Sequence, residues 1–312
     1  MDIMFRTDKA QIIKSQGKEL IAFDLGSKID SKDVLYTTGG GAANTAVSLA
    51  KLGFKVAVLT AIGKGANGQI ILNRFKQEGV AVNLIQKPNN YSTLSFVITG
   101  GKKNDRVIFV HRAAGDLLEV KQPALKRVKT DWYYVCSLSG KNWVKNLKNI
   151  FEVSQKKNIK VAWNPGSTQL NADYEVLKRF LKQTEVLLLN KAEAIKLVSS
   201  YGIKTTKVSE LFKALYSLGP KIIAITHGAK GAYVYSGEAV CFEKALPIVG
   251  INTTGAGDAF GSSLVGGLIL YKGDLKKALR LAIIRSNYVV RKIGAQEGLL
   301  TLRQVDKLRL KD

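Results

Sequence analysis

One carboxylate, Asp258, stands at the end of a Gly-Ala-Gly turn in the segment TTGAGDAFGSS, residues 253–263. Apolar residues such as Phe260 and Leu264 follow at helical spacing, so the pattern predicts that the turn leads into a buried helix. Asp is a preferred helix cap, and a capping role alone would account for the residue. A cap, however, does not need two glycines before it.

The turn itself suits an anion. Gly255, Ala256 and Gly257 would present backbone N–H groups at the N-terminus of the predicted helix, where negative charge is stabilised. Phosphoryl transfer to an alcohol requires such an anion hole beside a carboxylate. The N–H groups balance the charge of the moving phosphoryl group, and the carboxylate accepts the hydroxyl proton. This stretch therefore favours phosphoryl-transfer chemistry.

Two other glycine clusters could contact a ligand. The segment TTGGGAANTA (37–46) leads into a helix and carries Asn44; it fits either a capped tight turn or a site for a polyhydroxylated ligand. The segment GKGANG (63–68) matches G-x-G-x-x-G, but no acid follows about 20 residues on, where a dinucleotide fold needs one for the ribose. We interpret GKGANG as an ordinary turn between a strand and a helix.

The elements that must position these turns alternate along the chain. From residue 42 onward, helical patterns are separated by apolar strands, including 54–63 and EVLLLN (185–190). Continuous apolar strands between helices are typical of a parallel sheet covered on both faces. Residues 3–37 and 91–112 are richer in β-branched and aromatic residues, and GGKKND between the halves of the second segment predicts a hairpin loop. We expect these two segments to form a small β-sheet lid.

Composition limits the class of protein. The 312 residues are 46% hydrophobic and contain no linker, so we expect one domain, 1–312. Lys and Arg outnumber Asp and Glu by 48 to 24, a net charge of +24 that favours anionic partners. The basic residues are dispersed, which indicates a solvated surface rather than a nucleic-acid footprint. Two separated cysteines, Cys136 and Cys241, and the lack of a bilayer-length apolar stretch predict a cytoplasmic protein with free thiols and no membrane partner.

Four motifs, in this order, resemble those of the ribokinase family, the PfkB carbohydrate kinases. They are GGGAANTAVSLAKLG (39–53), NKAE (190–193), ITHGAKGAYVY (225–235) and NTTGAGDAFGSSLVGG (252–267). The resemblance covers nearly the whole chain. It implies an α/β fold of three layers, α/β/α, with a mainly parallel central sheet and a small β-sheet lid. It also implies an ATP-dependent kinase that transfers the γ-phosphoryl group to a hydroxyl of a sugar or sugar-containing small molecule.

The resemblance assigns roles to particular residues. Asp258 would deprotonate the acceptor hydroxyl, while the backbone of Gly255, Ala256 and Gly257 holds the transferring phosphoryl group. Four residues would bind the acceptor: Asp2, Gly40, Gly41 and Asn44. Five would bind ATP: Asn190, Glu193, Thr226, Gly228 and Gly231. Glu193 would also organise Mg²⁺ through water, and KIGAQEG (292–298) falls where the family closes its adenine pocket.

The chain departs from the family pattern at two places. Asn252 replaces an acid that helps to build a monovalent-cation site in many members, which leaves K⁺ activation open. The family begins with a central strand that ends in the sugar-binding acid, and here that acid is residue 2. We therefore expect the first central strand to be missing and the natural protein to carry about 8–12 further N-terminal residues.

Alternative functions stay open at this point. Within the family, an adenosine-like nucleoside could be the acceptor, and a base-stacking aromatic on the lid, such as Phe96 or Tyr91, would distinguish it. A non-catalytic sugar- or nucleotide-binding relative is opposed by the presence of Asp258 and Glu193 and favoured by the missing strand. A nucleic-acid-binding protein rests on charge only. We also expect a homodimer that forms through the lid.

Overall fold

The computed structural model of the chain describes residues 1–100, 105–247 and 253–309. The middle of the predicted GGKKND loop, 101–104, and Asn252 lie outside the described residues. Strands form two separate sheets and a hairpin, and helices cover the larger sheet on both faces. Within the described part of the chain, no helix is both long and apolar enough to cross a membrane.

The first part of the chain builds a small sheet. Its strands and those of a separate hairpin are β1 (Asp2–Arg6), β2 (Gln11–Ser15), β3 (Lys18–Ala22), β4 (Asp33–Thr37), β5 (Leu94–Gly100) and β6 (Asp105–His111). The order β4-β1-β5-β6 defines the lid, in which β1 runs parallel to β5 while its other two pairs are antiparallel. Strands β2 and β3 pair only with each other. The lid therefore joins two chain segments that lie about 60 residues apart.

The second part builds the main sheet. Its strands are β7 (Trp132–Val135), β8 (Lys160–Trp163), β9 (Val186–Asn190), β10 (Ile222–Thr226), β11 (Ala232–Tyr235) and β12 (Val240–Glu243). The order is β12-β11-β10-β9-β8-β7. Strands β7 to β10 run parallel, and β11 and β12 extend the sheet as an antiparallel edge. The predicted, mainly parallel central sheet is confirmed.

Helices lie on both faces of this sheet. They are α1 (Gly41–Lys51), α2 (Ala66–Gln77), α3 (Gln122–Lys126), α4 (Trp143–Lys157), α5 (Ser167–Leu170), α6 (Tyr174–Leu181), α7 (Lys191–Ser200), α8 (Val208–Ser217), α9 (Ala256–Leu270), α10 (Leu275–Val290) and α11 (Leu302–Arg309). Alternate residues of β9 belong to different cores. Leu187 and Leu189 pack in the core of α4 and α6 to α8, whereas Val186 and Leu188 pack with α9 and α10. Both faces of the strand are thus buried, which confirms the predicted α/β/α layers.

The strand predicted over 54–63 forms only in part. Residues Ala57 and Ala61 make isolated parallel bridges to Ala81 and Gln86 instead of a continuous ladder. These bridges use one edge of segment 55–62. A cavity of about 570 Å³ separates this segment from β7. The apolar pattern predicted the extended backbone correctly, but a ladder also needs a partner strand along each edge.

Candidate active site

The N-terminus of α1 and the N-terminus of α9 meet. Gly40 caps α1 with φ +97°, a backbone conformation that favours glycine. At Gly41, a Cβ atom would lie 3.1 Å from the Cβ of Cys136 and 3.5 Å from Oδ1 of Asp258. Glycine at this position therefore lets the α1 backbone approach the Asp258 carboxylate closely.

Asp258 is the third residue of α9 and does not cap it. The cap is Gly255, with φ +78° and no side-chain capping bond. A Cβ atom at Gly255 would lie 2.5 Å from the Cβ of Ala295, so both the conformation and the space require glycine there. The first-turn N–H groups of α9 thus point toward the same edge as the Asp258 carboxylate.

The Asp258 carboxylate is held by an amide. Asn44 Nδ2 of α1 donates to Asp258 Oδ2 at 2.7 Å. Burial raises the pKa of Asp258, and this hydrogen bond opposes the rise because it stabilises the ionised form. Next to it, burial and then the charge of Asp258 raise the pKa of the Cys136 thiol to about 12. Asp258 thus has the chemistry of a proton acceptor whose affinity for protons exceeds that of an exposed aspartate.

A glutamine that the sequence analysis did not single out fixes the orientation of Asn44. Gln296 is 1% exposed, and its Nε2 donates to Asn44 Oδ1 at 3.1 Å. Its own oxygen accepts hydrogen bonds from the Thr38 hydroxyl at 3.0 Å and from Arg74 Nε at 3.3 Å. Because these donors hold the Gln296 oxygen, its NH₂ group faces Asn44, and the Asn44 NH₂ group faces Asp258. Gln296 lies in KIGAQEG, which the family resemblance assigned to the adenine pocket; here it contacts the acceptor-side residue Asn44.

Asp2 lies on the same side of the molecule. It starts β1, is 8% exposed and pairs in register with Thr37. A Cβ atom at Gly39 would overlap the Asp2 carboxylate, so the carboxylate lies directly against the glycine turn before α1. Asp2, Gly40 and Gly41 line the same cavity. The four predicted acceptor-binding residues, Asp2, Gly40, Gly41 and Asn44, therefore surround the start of α1.

The predicted nucleotide-binding residues form a second group at the carboxyl ends of β9 and β10. Asn190 ends β9 and stands in register with Thr226, which ends β10. Gly228 follows Thr226 with φ +54° and open space around its Cα, and Gly231, with φ +114°, lies where a Cβ atom would overlap the Glu243 backbone. Ligands of parallel sheets bind outside these strand ends.

Glu193 takes part in a capping box at the start of α7. Its Oε2 accepts the Asn190 N–H at 2.8 Å, and Asn190 Oδ1 accepts the Glu193 N–H at 2.9 Å. Burial raises the pKa of Glu193, and these bonds oppose the rise. Across the described ranges, no three His, Cys, Asp or Glu side chains are grouped so that they could hold a metal ion directly. The oxygens left over by the capping box thus fit a hydrated cation better than a bare one.

A buried polar network fixes α9 to α1. Arg285 of α10 is fully buried and donates to Ser48 Oγ at 2.9 Å and to Ser263 Oγ at 2.7 Å. It also donates to the backbone oxygens of Ser48 and Leu300, both at 2.9 Å. Ser262 Oγ donates to Ser48 Oγ at 2.7 Å. Since Asn44 and Asp258 lie one turn before these serines, the network sets the distance between them.

Comparisons with known proteins agree with this geometry. The family model described as pfkB family carbohydrate kinase matches residues 14–302. An uncharacterized sugar kinase of Archaeoglobus fulgidus is 26% identical over 258 residues, which cover 81% of this chain and 98% of that protein. Ribokinase of Haemophilus influenzae is 26% identical over 288 residues, 89% of each chain.

A solved structure shows a similar fold. The nucleoside kinase of Burkholderia thailandensis in complex with inosine has a TM-score of 0.79 to this chain at 19% identity, and the match covers 98% of this chain and 94% of that one. At this identity the likeness concerns the fold alone.

Proposed function

Because this chain belongs to the pfkB family of carbohydrate kinases, we propose that Asp258 is the general base that accepts the proton of the acceptor hydroxyl. The protein is an ATP-dependent kinase that phosphorylates an alcohol group of a sugar or nucleoside. A non-catalytic binding protein is not favoured by relatives that are sugar kinases.

One observation carries the proposed role of Asp258. Its carboxylate accepts a 2.7 Å hydrogen bond from Asn44 and stands at the N-terminus of α9, beside the N–H groups of Gly255 to Gly257. The proton of the acceptor hydroxyl passes to Asp258, the hydroxyl oxygen bonds to the γ-phosphorus, and ADP leaves with the electrons of the broken P–O bond. The first-turn N–H groups of Gly255, Ala256 and Gly257 stabilise the negative charge on the transferred group during this step.

The acceptor occupies the start of α1 in this proposal. Asp2 accepts hydrogen bonds from hydroxyls, and Asn44 and the backbone of Gly40 and Gly41 contribute donors and close approach. A sugar suits these polar groups, since each hydroxyl both donates and accepts. The aromatic ring of Phe96, which would stack on a base, stacks on Phe5 within the lid at a centroid distance of 6.3 Å. A sugar is therefore our first choice of acceptor class.

ATP and Mg²⁺ occupy the second group of residues. Thr226, Gly228 and Gly231 line the nucleotide, and Asn190 and Glu193 orient the waters of Mg²⁺. When bound, the ion offsets the charge of the ATP phosphates. Retained waters are typical of protein-bound Mg²⁺, which fits a carboxylate whose second oxygen already serves the α7 cap.

A substrate panel tests this function. Pentoses, hexoses and nucleosides are each incubated with the protein, ATP and Mg²⁺, and ADP release is measured. We expect one sugar to stimulate ADP release well above the rate without acceptor. Stimulation by a nucleoside alone would replace the sugar as acceptor class, and stimulation by none of the panel would contradict the proposed acceptor site.

We further propose that two copies associate through the lid. Its strands expose a run of large apolar side chains: Val34, Leu35, Tyr36, Val107, Ile108, Phe109 and Val110. Exposed apolar patches of this kind mark association surfaces. Light scattering should give twice the chain mass, and Phe109→Asp should return it to the monomer value. A monomer at every concentration would exclude the lid dimer.

A further inference from the structure

The cavity between segment 55–62 and β7 has the shape of a missing strand. We call it the strand slot. Residues 55–62 line one long side and residues 133–139 line the other. Lys55 and Thr130 stand at one end, and Gly41 and Cys136 stand at the other. The slot thus runs along the full depth of the sheet, from the amino ends of the strands to their carboxyl ends.

Both long sides of the slot are main-chain edges. On segment 55–62, Val58 and Ile62 donate to Ala81 and Gln86 on the far side. The alternate residues Ala57, Leu59 and Ala61 point the other way. Throughout the described ranges, their N–H and C=O groups have no backbone hydrogen bond.

Strand β7 presents a matching edge. It is the last strand of its sheet and pairs only with β8. At its start, the Trp132 N–H and C=O contact the hydroxyl of Thr130, at 3.4 and 3.1 Å, instead of a neighbouring strand. Two facing edges with unused main-chain groups are a template for one more strand.

The faces of the slot are apolar. Leu49, Ile71 and Phe75 of α1 and α2 line one face, and Leu118 and Ile150 line it from the other core. Ala57 is exposed although it lies at the level of the central strands, whereas the β9 residues Val186 to Leu189 are at most 3% exposed. An occupant would therefore bury apolar side chains on both of its faces.

The amino group of Met1 lies at the same cavity. Met1 is 6% exposed, lines the slot and donates from its terminal nitrogen to the Thr93 oxygen at 3.0 Å. It stands at the carboxyl end of the sheet, beside Gly41. A segment joined to this nitrogen would therefore run along the slot in the same direction as segment 55–62 and β7.

We propose that the strand slot is a strand-acceptor site, which binds an extended, mainly apolar segment of about five to six residues that is joined to Met1 and parallel to both sides. A small-molecule pocket of this size would gather polar side chains toward one point. Here the unused polar groups are main-chain groups that recur at every second residue. The proposal does not depend on the kinase reaction.

Three chains test the proposal: the 312-residue chain, a version with about six Val and Ile residues before Met1, and a matched version in which alternate residues of that extension are Pro. Proline cannot donate to the neighbouring edges. We expect the Val/Ile extension alone to raise the Tm by at least about 5 °C. In hydrogen exchange, it should slow the amides of Ala57, Leu59, Ala61 and Trp132 by at least about tenfold.

Equal Tm values and equal exchange in the two extended chains would overturn the proposal, as would protection of other edges, such as β6, without protection of Ala57 and Leu59. Ala57→Asp in the Val/Ile chain serves as a second variant. It places a charge in the slot and should remove most of the gain in Tm, whereas the same change in the unextended chain should move the Tm little. None of these measurements requires an acceptor or ATP, so they stand or fall apart from the kinase assignment.

Discussion

Asp258 lies 2.7 Å from an amide that is 214 residues away in the sequence, and removal of its charge is the most direct test of the proposed base. Asp258→Asn should still bind ATP but lower kcat by roughly 10²–10⁴, the usual contribution of a positioned proton acceptor. Steady-state kinetics and nucleotide titration measure the two effects separately. Asp306→Asn, an exposed change on α11, is the matched control and should leave both unchanged. A variant at Asp258 with nearly full turnover would remove this residue from the mechanism.

The pH profile tests the surroundings of the same carboxylate. Only ionised Asp258 can accept a proton, and burial raises its pKa, so kcat/KM should decline with falling pH from a higher value than an exposed aspartate would give. Gln296→Leu releases the Asn44 amide and weakens its hydrogen bond to the carboxylate. The acid limb should therefore move to still higher pH, while Gln69→Leu on the exposed side of α2 should not move it. An acid limb that is the same in all three proteins would mean that Gln296 does not position Asn44.

Glu193 combines a structural and a proposed metal role, and two substitutions separate them. Glu193→Gln keeps an oxygen that can accept the Asn190 N–H but deletes the charge; the Mg²⁺ concentration for half-maximal rate should rise while the Tm stays within about 2 °C. Glu193→Ala removes the cap as well and should lower both. Glu175→Gln, in the first turn of α6, is the control. If Glu193→Gln leaves the Mg²⁺ titration unchanged, Glu193 serves only as a helix cap.

Individual site residues differ in how far the sequence could predict them. Asp258 and the glycines around it were predictable because turn, charge and helix are consecutive in the chain. Gln296 and Arg285 were not, since their partners lie more than 200 residues away and depend on how α1, α9 and α10 pack. The capping function of Glu193 was also missed, although Asn190 three residues earlier is a local signal for it.

At the level of elements, Arg285 joins three helices around the site. Arg285→Met keeps an apolar stem but leaves the oxygens of Ser48, Ser263 and Leu300 without a charged donor. We expect the free energy of unfolding to fall by about 2–4 kcal/mol. Urea unfolding measures it, with the exposed Arg291→Met on the same helix as the control. A loss as small as that of the control would show that the serines satisfy one another without the guanidinium.

Strands were predicted well where both edges are paired. The buried run 185–190 became β9, with a parallel partner on each side. The similarly apolar run 54–63 became isolated bridges, because its second edge faces a cavity. Hydrophobic pattern alone does not distinguish these cases, since it reports burial of side chains and not the pairing of the backbone.

On the scale of the whole molecule, the net charge of +24 is the dominant electrostatic feature. If it is a solvated surface, duplex DNA should bind weakly, and binding should be lost near about 0.2 M salt, as expected for contacts to phosphates alone. Fluorescence anisotropy at several salt concentrations with two unrelated duplexes measures both strength and sequence preference. Tight binding of only one duplex at that salt would restore nucleic acid as a partner.

The thiol under Gly41 also matters for how this protein can be chemically labelled. With a pKa of about 12, Cys136 is ionised in only about one molecule in 10⁵ at neutral pH, so maleimides and other soft electrophiles find almost no nucleophile there. Oxidants that act on thiolates meet the same barrier. Cys241 on the edge strand β12 is then the single practical attachment point for a dye, on the part of the sheet farthest from β7. A fluorophore can thus be added to the unaltered chain while the chemistry around Asp258 stays untouched.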